Sequence, residues 1–317
     1  MKWLVFLFFF SISCYAQAGE EAFVQAVKEY YENHNYQESW QINEKAIQMR
    51  KDSRYLAHKA KMLFMGHGTD KKITLAKEMV RSISQEISKN KDAFSLYMCG
   101  WFSFIPVGEK KDRAKSFHFF KQASELGFSP AMNHIGVMYR YGLGVEKNLD
   151  TAMIWYQKAA NLNSAYAMNN IATMYYYGAG VKKDIKQAGD WFKKAADLRF
   201  PEGMYRYGLM NYYGEEMDIN QEKAAELFTL AAEKKHFLSM YNLGVIYFYG
   251  TGADFDFSIA RKWFLQASKY KHSESMAFIG EMYEKGFGVA KDKQKALEWY
   301  QKSAALGNER ALKKLQK

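Results

Sequence analysis

The sequence predicts an all-α fold built of stacked pairs of short helices that repeat every 36 residues. The first observation is a ladder of glycines at this one interval, formed by Gly142, Gly178, Gly214, Gly250 and Gly286. An interval this strict indicates that one supersecondary unit was copied and stacked. The second observation is the spacing of apolar residues inside each unit, as at Ala152, Trp155 and Tyr156. Residues at i, i+3 and i+4 share one helix face, so each unit contains amphipathic helices.

The first helix of each unit precedes the ladder glycine. Six residues before it stands a small residue, at Gly136, Ala172, Gly208, Gly244 and Gly280. A small side chain here allows two helix axes to approach closely. The stretch from Tyr141 to Val145 is too rich in glycine to continue a helix and therefore predicts the turn.

The second helix of each unit carries large aromatic residues. One column holds Phe119, Trp155, Trp191, Leu227, Trp263 and Trp299, and the next holds Phe120, Tyr156, Phe192, Phe228, Phe264 and Tyr300. Small pairs such as Ala159-Ala160 follow. The aromatic rings are expected to fill the space that the small residues leave between helices.

At these residues the sequence resembles a known family. The stretches from Ala167 to Val181 and from Ala188 to Ala196 resemble the Sel1-like repeat, a relative of the tetratricopeptide repeat. Five successive units between residues 129 and 308 follow its pattern, A-x-x-x-L-G-x-x-Y-x-x-G-x-G-V and then A-x-x-W-Y-x-x-A-A. The resemblance implies a right-handed α-solenoid with a concave face, whose usual role is to hold other proteins.

The pattern also sets the expected domain boundaries. Residues 93–308 are predicted to form the Sel1-like repeats, with a degenerate first unit in which Pro106 takes the place of the turn glycine. Residues 19–92 show helical spacing without the repeat and predict irregular hairpins in the tetratricopeptide style. Residues 309–317 form half a repeat that ends in lysines, as a terminal cap requires. We expect one elongated domain, because no linker-like segment separates these parts.

One repeat departs from the pattern at its turn. Glu216 and Met217 stand where Gly180 and Val181 stand in the preceding unit. Asn211 also replaces the tyrosine found at Tyr175. The sequence therefore predicts a distorted turn in this unit.

The first eighteen residues have the order of a secretory signal peptide. Lys2 precedes an apolar run from Trp3 to Phe10, and Ala16-Gln17-Ala18 supplies a small-x-small cleavage site. The run is shorter than the ~20 residues that span a bilayer. We expect cleavage near Ala18 and a periplasmic or secreted protein. The alternative, lipidation at Cys14, stays open, although Ser11-Ile12-Ser13 is a poor lipobox.

Charge and cysteine content narrow the classes of partner. The full chain has a formal net charge of +11. Cleavage near Ala18 removes Lys2 and Cys14, which leaves a net charge of +10 and Cys99 as a single thiol without an internal disulfide. A basic exported chain favours acidic proteins, phospholipid headgroups or other polyanions, and nucleic acid is a poor candidate. Cys99 aligns with Ile135 and is expected to be a buried structural residue.

Motifs for catalysis or cofactor binding are lacking. The sequence contains no G-x-S-x-G, H-E-x-x-H or phosphate-binding glycine loop, and its seven histidines share no metal-ligand spacing. We therefore expect no enzyme, no cofactor and no metal. Ser268 and Lys271 match S-x-x-K, but Ser268 occupies a small-residue packing column. His134, His236 and His272 are expected at the surface.

Function is therefore expected in surface positions that the repeat does not require. In tetratricopeptide geometry the first helices line the concave face, and tyrosine is frequent at the corresponding positions of this chain. Tyrosine is enriched at energetic centres of interfaces. The predicted partner-binding residues are Asn133, Arg140, Tyr141, Asn169, Tyr176, Tyr177, Tyr205, Tyr212, Tyr213, Tyr241, Phe248 and Tyr249.

The charged residues near this stripe suggest a polarity. Arg140 and Arg206 lie toward one end of it, and Glu281 and Glu284 toward the other. This arrangement predicts a partner segment that binds in one preferred direction.

Three classes of function remain. The leading hypothesis is a monomeric, non-enzymatic periplasmic scaffold that docks a protein partner, for which an envelope-assembly factor, a host-facing factor and an immunity protein against a periplasmic toxin stay open. The second is an enzyme acting on cell-wall peptides or β-lactams through Ser268 and Lys271. The third is a carbohydrate or lipid binder that uses the tyrosines and lysines.

Overall fold

The structure is a computed structural model, and it describes residues 20–31, 34–49, 52–66, 71–89, 91–104 and 112–316. These residues form helices and turns, and no strand occurs among them. The chain divides into two compact units, Met1–Lys183 (unit 1) and Asp184–Lys317 (unit 2). The predicted leader, Cys14 and Pro106 lie outside the described residues.

Unit 1 contains nine described helices. They are α1 (residues 20–31), α2 (Tyr36–Met49), α3 (Ser53–Met65), α4 (Ile73–Ile87), α5 (Ala93–Phe104), α6 (Arg113–Glu125), α7 (Ser129–Tyr141), α8 (Leu149–Ala160) and α9 (Ala165–Tyr177).

Unit 2 contains eight described helices. They are α10 (Ile185–Asp197), α11 (Pro201–Tyr213), α12 (Gln221–Glu233), α13 (Phe237–Tyr249), α14 (Phe257–Ser268), α15 (Ser273–Lys285), α16 (Lys293–Ala304) and α17 (Glu309–Leu315). Consecutive helices pack against each other within each unit. The predicted fold class, all-α helix pairs on a 36-residue repeat, is confirmed.

The small-residue column brings the two helices of a pair together. A Cβ atom on Gly244 would lie 2.4 Å from the ring of Phe264, and one on Gly136 would lie 2.6 Å from the ring of Tyr156. Both rings are fully buried. The aromatic column of the second helix therefore sits directly on the backbone of the first, as the sequence predicts.

The turn of the third repeat is regular, and the prediction that it is distorted is wrong. Glu216 adopts φ +53°, the left-handed conformation that Gly180 adopts at φ +76°. The N–H of Asn220 donates to the carbonyl of Asn211 at 2.8 Å, as Asn148 does to Tyr139 in another repeat. The hydrogen bonds of the turn fix its shape, and Glu216 accepts the backbone conformation that they require.

The start of the chain packs differently from the repeats. The segment from α1 to the start of α2 crosses the N-terminal ends of α5, α7 and α9. The contacts are Phe23–Phe94 and Tyr31–Phe128, with ring centroids 5.1 and 5.8 Å apart, and Tyr36 Oη–Tyr166 Oη at 2.8 Å. The segment thus ties three successive first helices of unit 1 together.

A buried lysine lies beneath this segment. Lys61 of α3 is 5% exposed, and its Nζ donates to Tyr31 Oη at 2.7 Å and to Tyr97 Oη at 2.6 Å. The rings of Tyr30 and Trp101 also face this nitrogen, at 5.3 and 5.7 Å. Burial lowers the pKa of Lys61 well below its usual value.

Two smaller predictions also have structural outcomes. Cys99 is buried as expected, and burial raises the pKa of its thiol to about 11. The three histidines expected at the surface are half-buried. His134 packs on Phe120 with ring centroids 4.9 Å apart, and His236 and His272 cap the N-termini of α13 and α15.

Candidate protein-binding surface

One tyrosine closes the first helix of four successive repeats and points into solvent. Its side chain is 60% exposed at Tyr141 and 63% at Tyr177 in unit 1, and 62% at Tyr213 and 60% at Tyr249 in unit 2. The following residue is each time the ladder glycine, in the left-handed conformation that ends the helix. The ring therefore stands at the edge of the helix pair, where no neighbouring repeat covers it.

In unit 1, the preceding residue holds each exposed ring. The guanidinium of Arg140 lies 5.4 Å from the ring centroid of Tyr141, within the range of a cation–π contact. The ring of Tyr176 meets that of Tyr177 edge to face, with centroids 5.0 Å apart. These contacts restrict ring motion before any partner arrives, which lowers the entropy cost of binding.

In unit 2, the same relation recurs with a more buried partner. Tyr212 meets Tyr213 edge to face at 5.0 Å, and Phe248 meets Tyr249 in the same way at 5.0 Å. Phe248 itself is buried. It therefore supports the ring of Tyr249 from the core and offers no contact area of its own.

The predicted asparagines of unit 1 are wholly or partly buried. Asn133 is buried, and its Oδ1 accepts a hydrogen bond from Asn170 Nδ2 at 2.9 Å, which joins α7 to α9. Asn169 is half-buried, and its backbone carbonyl accepts from Thr173 Oγ1. Neither side chain stands beside the exposed tyrosines as open surface.

The predicted tyrosines early in α11 and α13 are half-buried against histidines. Tyr205 packs on His236 with ring centroids 4.8 Å apart, and Tyr241 packs on His272 at 4.6 Å. Burial raises the pKa of Tyr241 to about 12. These two rings therefore contribute mainly to packing between repeats, whereas the predicted tyrosines at the helix ends are widely exposed.

The acidic side chains proposed for the polarity of the surface are already paired. Glu281 pairs with Lys285 and Arg310, and Glu284 pairs with Lys314. Two of the three partners, Arg310 and Lys314, belong to α17, so the carboxylates of α15 hold the last helix of unit 2 in place. They do not supply an open acidic end for a partner.

Sequence reasoning missed two exposed apolar residues in unit 2. Ile219 is 65% exposed and Phe255 is 59% exposed. Each stands five residues after a ladder glycine, where other repeats have Lys147, Lys183 and Lys291. In the sequence, the exposed residues could have been found from the absence of the lysine that three other repeats have at this position.

The residues offered for catalysis are not arranged as a catalytic pair. The hydroxyl of Ser268 is buried and donates to the carbonyl of Leu265 at 2.9 Å. Lys271 is exposed and adopts a positive φ in the following turn. Within the described residues, no three His, Cys, Asp or Glu side chains come together as a metal site would require. Nor does any described helix combine the length and the apolar character needed to cross a membrane.

Comparison with known proteins adds a family match. The model described as "Sel1 repeat" matches residues 93–128, 129–164, 165–200, 201–236, 238–269 and 273–308, which together make up more than half of the chain. No curated protein matches the sequence significantly.

Two solved structures share the fold. A protective antigen from uropathogenic Escherichia coli strains is 22% identical with a TM-score of 0.64, and the match covers 96% of this chain and 66% of that one. A Sel1 repeat protein from Oxalobacter formigenes is 24% identical with a TM-score of 0.66, and the match covers 79% of this chain and 99% of that one.

A third structure resembles the chain less closely. The immunity protein PA5088 from Pseudomonas aeruginosa is 19% identical with a TM-score of 0.49, and the match covers 70% of this chain and 84% of that one.

Proposed function

Since the chain belongs to the Sel1 repeat family, we propose that it is a non-enzymatic scaffold that binds a protein partner through the tyrosines at its helix ends. The observation that carries this proposal is the repeated exposure of about three fifths of one aromatic side chain at Tyr141, Tyr177, Tyr213 and Tyr249. Packing within a repeat does not require these rings, because Lys285 occupies the same position in the fifth unit. A tyrosine ring suits a binding surface, because its hydroxyl is solvated in the free protein and its apolar face is buried when a partner binds.

The order of residues 1–18 supports a periplasmic or secreted location for this scaffold. An immunity protein would be one form of the same activity, with a toxin as the partner. The cell-wall enzyme is disfavoured, because the Ser268 hydroxyl is buried in its own helix. A purified chain that turns over neither peptidoglycan peptides nor a β-lactam, and a Ser268→Ala variant with the same partner binding, are the expected results.

The proposal is tested by removing exposed rings and measuring partner capture. The variant carries Tyr177→Ala and Tyr213→Ala, so that each unit loses one ring. The bait is the purified chain, and envelope extracts supply the partners. If each of the two tyrosines contributes about 1 kcal/mol, their loss costs about 2 kcal/mol in all, so capture should weaken by roughly thirtyfold.

A matched control removes exposed apolar area elsewhere. Ile154 and Leu162 are 54% and 49% exposed in unit 1 and lie away from the helix ends that carry tyrosine. The variant with Ile154→Ala and Leu162→Ala should capture the same proteins as the unmodified chain. Identical recovery by the tyrosine variant and the unmodified chain would show that the tyrosines do not bind the partner.

A further inference from the structure

The turns after α11 and α13 form a surface in unit 2 whose chemistry differs from that of the other repeat turns. We call this surface, residues 213–220 and 249–256, the acidic turn patch. We propose that the patch docks a basic protein segment that carries apolar anchor residues. This inference rests on the proposed scaffold function and specifies the chemistry of the partner.

The patch presents large apolar side chains in a row. Tyr213, Ile219, Tyr249 and Phe255 are each 59–65% exposed. A Cβ atom on Gly214 would lie 2.6 Å from Ile219 Cγ1, so this side chain covers the glycine next to Tyr213. Exposed apolar side chains are ordinary when scattered, whereas a contiguous set marks an interaction surface.

Phe255, at the aromatic end of this row, packs on a cluster of other phenylalanine rings. Phe255 meets Phe257 edge to face with ring centroids 4.4 Å apart, and Phe257 stacks on Phe287 at 4.7 Å. Phe257 also contacts the buried ring of Phe248 at 5.1 Å. Phe255 is therefore held outward on a packed aromatic cluster, as an anchor for a partner requires.

The two turns touch each other, so the patch is continuous. The hydroxyls of Tyr212 and Thr251 lie 2.9 Å apart, which joins the end of α11 to the turn after α13. Gly252 lies against the backbone of Gln221, where a Cβ atom would be 2.3 Å from the carbonyl oxygen. A single partner segment can therefore contact both turns.

The charge of the patch selects a basic partner. Residues 214–220 and 250–256 contain five acidic residues, Glu215, Glu216, Asp218, Asp254 and Asp256, and no lysine or arginine. Among the described residues, Glu216, Asp218 and Asp254 take part in no ion pair or hydrogen bond of their side chains. This local excess of negative charge stands in a chain whose net charge is +11.

The unpaired carboxylates beside the apolar side chains disfavour anionic occupants of the patch. An anionic membrane surface or an acidic protein would be repelled by the unpaired carboxylates. Lysine and arginine side chains, in contrast, pair with carboxylates and also bind tyrosine faces through cation–π contacts. For this part of unit 2, the sequence-based expectation of an acidic partner is therefore replaced by that of a basic one.

The test uses defined peptides and the purified chain. The probe is a fluorescent peptide of about 18 residues with leucine and lysine at helical spacing, a length at which helix formation on contact is favourable. Its counterpart has glutamate in place of lysine. The lysine peptide should bind with an affinity that falls as salt is raised, and the glutamate peptide should not bind.

The key variant carries Ile219→Lys and Phe255→Lys, which restores the lysine that three other repeats have in this column. It should keep its helical circular dichroism and bind the lysine peptide at least about tenfold more weakly, a change of ~1.4 kcal/mol. The matched control carries Leu297→Lys and Leu312→Lys, which adds the same charge at exposed positions of unit 2. The control should bind like the unmodified chain.

A second variant, Asp218→Asn with Asp254→Asn, removes charge without altering apolar area and should bind more weakly with a smaller salt dependence. Equal binding of both peptides, or unchanged binding by the variant with Ile219→Lys and Phe255→Lys, would overturn the inference. The inference would also be overturned if the unmodified chain self-associates and the variant with Ile219→Lys and Phe255→Lys does not, because a second copy of the chain would then be the occupant. The scaffold function would survive each of these results if envelope capture still depended on Tyr177 and Tyr213.

Discussion

Glu216 holds its backbone in a conformation that is costly for a residue with a Cβ atom. Its φ is +53°, and glycine occupies the corresponding position in the turn of another repeat at Gly180. The left-handed conformation costs an L-residue about 1–2 kcal/mol. We therefore expect Glu216→Gly to raise the free energy of unfolding by about 1 kcal/mol, once the greater freedom of glycine in the unfolded chain is subtracted.

The measurement is urea unfolding followed by circular dichroism. Asp218→Gly is the matched control, because Asp218 is an exposed acidic residue of the same turn with a negative φ. Glycine at position 218 should lower stability by about 0.5–1 kcal/mol. A loss of stability in both variants would mean that Glu216 makes a compensating contact.

Lys61 is a second residue in an unfavourable environment, because its surroundings disfavour the charged form of its amine. Its amine is buried among aromatic rings and hydroxyls, and burial lowers its pKa well below the usual value. Between this lowered pKa and the unfolded pKa of about 10.4, the folded state binds fewer protons than the unfolded state, so stability rises with pH in that window. Lys61→Met removes this cost, and we expect stability at pH 7 to rise by about 1–2 kcal/mol.

The pH dependence separates this explanation from a packing effect. The advantage of the Lys61→Met variant should shrink as the pH is raised from 7 to 10, because loss of the proton from Lys61 on folding costs less as the pH approaches the unfolded pKa of about 10.4. Unfolding midpoints at several pH values supply the measurement. Lower stability of the variant at pH 7 would show that the rings and the hydroxyls of Tyr31 and Tyr97 stabilise the charged amine.

At the scale of helices, the close approach within each pair depends on the small-residue column. A Cβ atom on Gly244 would lie 2.4 Å from the rigid, fully buried ring of Phe264. Gly244→Ala should therefore lower the free energy of unfolding by about 1–3 kcal/mol through overpacking. Thermal unfolding of the purified chain measures the loss.

Gly189→Ala is the matched control for this substitution. Gly189 is also a buried helical glycine of unit 2, but its added Cβ would meet the terminal methyl of Met210 at 2.9 Å, which can move aside. Because alanine favours the helix by about 1 kcal/mol over glycine, this control should be neutral or more stable. Equal losses in the two variants would rule out the ring contact as the cause.

The sequence predicts the repeated helices well, because each unit carries the same local pattern. Gly136 and Tyr156 could be paired in advance, since small and aromatic columns keep a constant separation. The path of α1 could not be predicted, because its contacts, such as Tyr31 with Phe128, join residues far apart without any periodic signal. At the candidate surface, exposure distinguishes Tyr213 from Tyr205, whereas their residue type does not.

At the scale of the whole chain, we predict that acid destabilises the protein. Burial lowers the pKa of His58 to about 3 and that of His134 to about 4. Both values lie below the unfolded pKa of about 6.5, so the folded state binds fewer protons than the unfolded state. The stability that depends on these two histidines staying neutral is therefore fully present above pH 6.5 and is lost as the pH falls toward 4. Each histidine contributes up to ~1.4 kcal/mol per pH unit in this window.

Urea unfolding between pH 7.5 and 5 measures this slope in a range where carboxylates contribute least. His58→Phe places an apolar ring among Phe23, Tyr30 and Phe94, which surround His58 in the structure. The variant should lose only part of the slope, because His134 and His272, whose pKa values burial also lowers, remain. An unchanged slope would mean that His58 gains its proton without leaving its packed site, and a flat profile in the unmodified chain would mean that neither histidine is held neutral by folding.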